Sequence, residues 1–296
     1  MSPSKTTTKS LPTTPLRPAT GRRRMSLGRY TVYAVLLLLA MFAVGPMLLF
    51  AFNALKSRSA LAESPLGVPT SPRWHNFLDA WQQAGMGVGL RNSLIIVTAT
   101  ALGVCVIACT AAYAMSRLRV AGSTFFIYYL LVTTALPIQL FLVPLFYMWT
   151  KAGLYDSLLG LIIIYWAVFS PFATLLVRSF MVALPKEYEE AARLDGAGEW
   201  RVFSRVVLPM VWPGLLTAAL VSGLQAYNEF LLAVTFIQST EKMPVSTAFF
   251  AFKSGYTQDY TLISAGGLIM VIPVLIAFIL LQRRFIEGYT SSGMTG

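Results

Sequence analysis

Histidine occurs once in the 296 residues, as His75, and cysteine twice, as Cys105 and Cys109. That supply argues against a structural zinc site of the His/Cys kind. The two cysteines lie four apart in an apolar run and read as small core hydrophobes on one helix face, and His75 reads as a lone loop histidine. Charge is also scarce: 12% of residues are charged, with 12 acids against 23 bases, about half the charged fraction usual in a soluble domain. No acid occurs in the first 29 residues, which carry Lys5, Lys9, Arg17, Arg22, Arg23, Arg24 and Arg29. No glycine precedes any lysine, so a Gly-Lys-Ser/Thr phosphate loop is absent and this chain cannot bind ATP by that arrangement.

What is abundant is apolar: 56% of residues are hydrophobic and the mean hydropathy is +0.66. A membrane protein is expected. Uncharged windows able to cross ~30 Å of hydrocarbon, which takes about 20 helical residues, run over 30–52, 92–116, 120–150, 157–177, 206–228 and 260–282. The fold class is therefore an all-α membrane protein with six transmembrane helices. The third window contains Pro137 and Pro144 and is expected to be one kinked, tilted helix or a span with an interfacial extension. The fifth is interrupted only by Glu229 before apolar residues resume to Ile237.

Bases stay on the cytoplasmic side of a membrane. With both ends inside, sixteen of the 23 bases fall in inner segments and seven in outer loops, which favours an N-in, C-in orientation. Residues 1–29 then form a basic, disordered cytoplasmic tail and 30–296 the membrane domain. The tail's charge suits anchoring at a lipid bilayer rather than nucleic-acid binding. A cleaved signal peptide is disfavoured, because the apolar run after the bases exceeds the ~7 to 15 residues of such a core. In the outer loop from Asn53 to Arg91, three prolines precede Trp74, Phe77 and Trp81, which predicts a short amphipathic helix near 75–84.

The most informative stretch lies between spans four and five. Pro185 suits a first helical position, and Glu187, Glu189 and Glu190 complement the positive end of a helix dipole. Tyr188, Ala191, Ala192 and Asp195 recur at helical spacing, and Gly196 can take the left-handed conformation that ends a helix. The chain restarts near Glu199 and runs to Leu208-Pro209. These features predict a cytoplasmic helical hairpin with a small-residue face that another protein could approach.

Glu190-Ala191-Ala192, then Gly196, Val206 and Leu208-Pro209 at their spacing, resembles the "EAA" loop of ABC importer permeases; the one departure is Val206, where that family usually has isoleucine. Val143-Pro144-Leu145-Phe146, Ala152 to Ser157, Leu184-Pro185 and Ala226-Tyr227-Asn228-Glu229-Phe230 resemble the carbohydrate importers. The ending from Gln282 through Gly288, Thr290, Gly293 and Gly296 is similar to the short permease of the maltose and trehalose type. The resemblance covers roughly 30–296. It implies a non-catalytic transport subunit of a prokaryotic cytoplasmic membrane that couples through residues 185–209, with Glu190, Ala191, Ala192, Asp195, Gly196, Val206, Leu208 and Pro209 at the ATPase contact. It further implies a second permease, two ATPase chains that hold MgATP, and an extracytoplasmic sugar-binding protein. This chain itself would carry no cofactor. Maltose or maltodextrin, trehalose and other oligosaccharides remain open as substrate.

Ser222, Gln225, Asn228 and Glu229 are spaced three and four apart and are expected to form a polar stripe on span five, facing a sugar cavity or a neighbouring helix. If that span runs from Pro209 to Phe236, Glu229 lies ~10 Å beyond its middle toward the outside, fit for an outer-gate or interface contact. A secondary transporter or channel is the alternative, but it should place ionisable groups near the midplane, and only Glu229 qualifies. An intramembrane enzyme would need a catalytic set that the sequence lacks.

The orientation is testable by labelling. In a background lacking Cys105 and Cys109, Ser64→Cys is expected to react with an impermeant thiol reagent added outside, and Ala197→Cys only after the membrane is opened. Labelling of Ala197→Cys from outside would invert the topology.

Overall fold

The structure is a computed structural model that describes residues 27–118, 120–254 and 257–292. Residues 1–26 of the expected basic tail lie outside the described residues, as do Gly293 and Gly296. The chain divides into two units, one ending at Leu48 and one from Leu49 onward.

Thirteen α-helices carry the described residues: α1 (Leu27–Ala54), α2 (Arg58–Glu63), α3 (His75–Gln83), α4 (Met86–Ser116), α5 (Ser123–Ala135), α6 (Leu142–Lys151), α7 (Leu158–Ala183), α8 (Glu187–Leu194), α9 (Glu199–Val202), α10 (Leu208–Met210), α11 (Trp212–Asn228), α12 (Leu231–Phe236) and α13 (Tyr260–Ser292). Short 3-10 and π turns link some of them. The only extended pairing among the described residues is a two-residue antiparallel ladder, Lys253–Ser254 (β1) with Thr257–Gln258 (β2).

Four helices among the described residues are long and apolar enough to cross a membrane: α1, α4, α7 and α13. Two bent pairs raise the number to as many as six. One joins α5 to Ile138–Lys151 with a bend of 92°, and the other joins Glu199–Met210 to α11 with a bend of 73°. The third window is thus not a single kinked helix but two helical segments at a sharp angle, which leaves the expected interfacial extension open. Leu136, before Pro137, is extended at φ −79° and ψ 129°, as expected where the proline ring crowds the preceding residue out of the helical region. In the fifth window Pro209 and Pro213 both lack an N–H, and Leu208 N–H reaches back five residues to the Phe203 carbonyl in a π turn.

The larger unit is built around α4. Its buried residues Ile96, Thr100, Val104, Ala108 and Ala112 recur every four positions, one ridge that packs against α7 and α11. Small side chains on that ridge let the helices approach closely. Gly103 takes this furthest: a Cβ there would lie 2.1 Å from the indole of Trp166. The same indole donates its N–H to the Ala99 carbonyl at 2.9 Å. Cys109 is buried in this core and Cys105 half-buried, and both are free thiols.

At the end of α4 opposite the hairpin, side chains tie loops to helices. Asn92 donates to the carbonyls of Glu241 and Met243, at 2.8 and 3.1 Å, and Ser93 accepts from Val245 N–H. The expected helix near 75–84 is α3; it packs against α13 and α4 and buries Asn76 and Ala80. His75 is not a loop residue but the first of α3, paired with Asp79 at 3.1 Å. Asn76 donates to the carbonyls of Ala54 and Lys56, both at 2.8 Å. The Lys56 ammonium is itself buried, surrounded by Asn53 Oδ1 and the carbonyls of Ser64 and Pro65.

A clasp forms around Asp156, between α6 and α7, which holds a left-handed conformation at φ 51°. Its carboxylate accepts from the backbone N–H groups of Gln238 and Ser239 at 2.9 Å, from the Ser239 hydroxyl, and from Lys242 Nζ at 3.2 Å. Burial alone would raise its pKa, but these donors outweigh it and hold the carboxyl well below the usual carboxylate range. A depressed pKa contributes stability that is present above the unfolded-state value and lost only as pH falls through the folded value. Asp156→Asn keeps the residue's tolerance of left-handed backbone and removes the charge. It is expected to cost roughly 1–3 kcal/mol. The difference in thermal unfolding between variant and wild type should be the same at about pH 8 and about pH 5. The gap should then narrow as pH falls below about 4, through the unfolded-state value; a gap that stays unchanged down to about pH 2.5 would show that Asp156 titrates normally.

Candidate functional site

The hairpin between α7 and α11 is built much as its residues suggest, with shifted limits. Helix α8 starts at Glu187, so Pro185 lies outside it rather than at its first position, and Lys186 is the cap residue. Three glutamates occupy its first turn and Arg193 its last, each sign matching the helix dipole. Gly196 has φ +83°. Gly196 N–H donates to the Arg193 carbonyl and Ala197 N–H to the Ala192 carbonyl, both at 3.0 Å, the paired bonds of a Schellman turn. Ala192 and Ala197, brought together by that turn, both pack on the core.

Ala192 is therefore not on the free face. Glu190, Ala191, Asp195 and Gly196 are exposed, together with Tyr188, Leu194 and Trp200. Val206 and Leu208 are half-buried and Pro209 exposed, in the π turn and the short α10 that follow. Of the expected contact residues, Glu190, Ala191, Asp195 and Gly196 are exposed on α8 and its turn, Ala192 and Leu208 pack on the core, and Val206 is half-buried and Pro209 exposed.

Residues not singled out in the sequence hold the hairpin in place. Arg117, the C-cap of α4, donates to the Leu184 carbonyl at 2.8 Å and also to the Met181 carbonyl at the end of α7. Its Nε lies 3.0 Å from Glu189 Oε1 in an ion pair whose side chains are 3% and 5% exposed. Arg193 bridges Glu189 at 3.4 Å and Glu199 at 2.8 Å. Tyr113 donates to Glu199 at 3.0 Å, and its ring lies 4.9 Å from that of Phe203. Arg193 first, and then Tyr113, hold the Glu199 carboxyl below its ordinary pKa, and Glu199 in turn raises that of Arg193. In the sequence Arg117 is merely one more inner base, so no local signal separates it.

The expected polar stripe on α11 does not survive. Ser222 is buried and donates to the Ala218 carbonyl at 2.8 Å, whereas Gln225 and Asn228 are exposed. Steps of three residues fall about 60° short of a full turn, so two steps carry Asn228 roughly 120° around from Ser222. The assumed span from Pro209 to Phe236 also breaks at Glu229, whose backbone is extended at φ −67° and ψ 125°. Its carboxylate caps α12, accepting from Leu232 N–H and Ala233 N–H at 3.0 Å and from the Tyr165 hydroxyl at 2.9 Å. Glu229 is thus a cap at a helix break.

At the end away from the hairpin, a polar cleft of about 900 Å³ opens between α3 and the start of α13, lined in part by Arg58, Arg73, Asp79, Gln82 and Asp259. Arg58 closes on Asp259 at 2.6 Å.

Gly196→Val places a β-branched residue at positive φ, where even an ordinary L-residue costs roughly 1–2 kcal/mol. No neighbouring atom lies within 4 Å of the Cβ position, so the penalty is conformational, not steric. The variant is expected to insert normally but to lose the fixed turn, read as faster protease cleavage between α8 and α9. Gly196→Asn should be markedly milder, because asparagine tolerates the left-handed region.

Comparisons with known proteins follow this geometry. Residues 105–288 match the family described as binding-protein-dependent transport system inner membrane component. The diacetylchitobiose uptake system permease protein NgcG of Streptomyces coelicolor is 34% identical over 88% of this chain and 87% of its own. The trehalose transport system permease protein SugB of Mycobacterium tuberculosis is 31% identical over 92% of this chain and 100% of its own. Among solved structures, a chain of a bacterial ABC transporter that imports the acidic polysaccharide alginate superposes with a TM-score of 0.75 at 20% identity, covering 88% of this chain and 98% of that one. The family match spans more than half the chain and includes the hairpin and the helices that seat it; the protein belongs to the binding-protein-dependent transport system inner membrane component family.

Proposed function

We propose that this chain is the short permease subunit of an ATP-driven oligosaccharide importer. It crosses the membrane six times, N-in and C-in, pairs with a second permease, and docks two ATPase chains that hold MgATP through residues 185–209. An extracytoplasmic binding protein delivers the sugar to the opposite face, where the polar cleft between α3 and α13 offers hydrogen-bonding surface. Residues 1–29 act as a basic cytoplasmic anchor and 30–296 as the transport domain.

The observation that carries this reading is the hairpin tip. Tyr188, Trp200 and Leu194 are 55%, 75% and 89% exposed, on an element whose other face is tied to the ends of α4 and α7. Three large apolar side chains exposed on one short element outside the membrane helices suit a protein contact. The relatives, a diacetylchitobiose uptake permease and a trehalose transport permease, support an oligosaccharide. On α11, Gln225 and Asn228 are exposed and can exchange hydrogen bonds with sugar hydroxyls, which makes them the cavity-lining residues of the original four. Ser222 and Glu229 have structural partners instead.

The complex, reconstituted in proteoliposomes with its binding protein, is tested with radiolabelled trehalose, diacetylchitobiose and arabino-oligosaccharides. At least one sugar should accumulate when ATP is present. Collapsing the proton and sodium gradients should leave uptake intact while ATP is maintained; if uptake stops, the ATP-driven reading is wrong. Asn228→Leu should lower uptake without reducing assembly, and normal uptake in that variant removes Asn228 from the sugar path.

A further inference from the structure

We infer that the Arg117–Glu189 ion pair is the joint that transmits movement of the hairpin to α4. This rests on the hairpin being the ATPase-docking element. Docking alone does not move a membrane helix; the hairpin must also be unable to swivel on its own connections. Arg117 meets that need at one place, since a single guanidinium contacts the end of α7 through the Leu184 carbonyl, the hairpin through Glu189, and α4 through its own backbone.

A single attachment would still leave rotation about it. A second lies one turn earlier on α4, roughly 6 Å along its axis, where Tyr113 donates to Glu199 at 3.0 Å. Arg193 closes the circuit by pairing with both Glu189 and Glu199. Two fixed points on one helix define an orientation as well as a position. Helix α4 is the core element that meets α7 and α11, and at its far end Asn92 and Ser93 hold the segment from Glu241 to Val245. Displacement at the hairpin therefore has a continuous packed route along α4 to the opposite face.

The burial of the pair points the same way. Removing two charges from water cancels most of their attraction, and apolar replacements of similar volume are often as stable, so such a pair is weak evidence of a stabilising role. Its placement, in contrast, is specific: Glu189 lies within ion-pair distance of the arginine at the end of α4 and of one on its own helix, and Arg117 touches three elements. Arg117 and Glu189 are thus positioning residues, acting through the hairpin rather than on sugar or ATP.

The test uses the whole complex in proteoliposomes and reads sugar imported per ATP hydrolysed, with whichever of trehalose, diacetylchitobiose or an arabino-oligosaccharide the wild type imports. Arg117→Met combined with Glu189→Leu removes both charges, so no buried charge is left unpaired, although the Leu184 carbonyl loses its donor. It is expected to assemble with the ATPases and to hydrolyse ATP, while sugar per ATP falls about tenfold. Arg117→Lys, which keeps the charge but not the forked geometry, should show a smaller fall. An unchanged ratio in the double variant overturns the joint. Should that variant fail to insert, Arg117→Lys decides: a lowered ratio with normal assembly supports the joint, and an unchanged ratio overturns it. Glu190→Lys and Gly196→Val serve as hairpin controls. If they impair coupling while the Arg117 variants do not, only the joint is wrong; if all leave transport and assembly unchanged, the docking role of the hairpin falls with it.

Discussion

A chain that spans lipid has no water with which to satisfy the backbone groups set free where a helix ends or breaks. In this protein several such places are met by a polar side chain from another part of the sequence. Arg117 takes the carbonyls at the end of α7, and Glu229 takes the amides at the start of α12. Asn92 serves the carbonyls of Glu241 and Met243, Asn76 serves those of Ala54 and Lys56 at the end of α1, and Lys56 serves those of Ser64 and Pro65 after α2. The few charged and amide groups among so many apolar residues thus sit where the backbone needs them, and they decide which helix ends lie together.

That constraint gives the two ends of the molecule different characters. At the hairpin end the ties are ionic and converge on one short element, α8, so the hairpin is held as a unit while its tip stays exposed. At the opposite end the ties run from side chains to loop backbone and hold several segments against α3, α4 and the start of α13. The parallel course of α4 and α7, both running from the loop end to the hairpin end, joins the two sides through one packed core.

The breaks matter as much as the spans. The 92° and 73° bends both lie near prolines, Pro137 in one case and Pro209 with Pro213 in the other, where missing N–H groups free carbonyls that a straight helix would bond. The second bend separates the hairpin's π turn from α11, so the hairpin and the helix with the exposed Gln225 and Asn228 run along different axes. Where α11 ends, Glu229 converts a charge that would be costly in lipid into a helix cap held by Tyr165.

Sequence alone determined the properties that depend on neighbours along the chain. Long uncharged runs mark helices by length, the glutamates of α8 and Gly196 mark a helix and its end by the dipole and by positive φ, and the motif spacing from Glu190 to Pro209 points to the family. The proline bends were half-legible, because a proline announces a missing donor without saying how far the helix will turn. What only the tertiary structure decided are the partnerships across distance: Arg117 with Glu189, Asp156 with Lys242, Tyr165 with Glu229, and the separation of Ser222 from Asn228. The reason is physical. A lone base or acid in an apolar chain reads identically whether it faces water or a partner, and its identity as a tether exists only once packing has placed the second charge, or the freed backbone group, within reach.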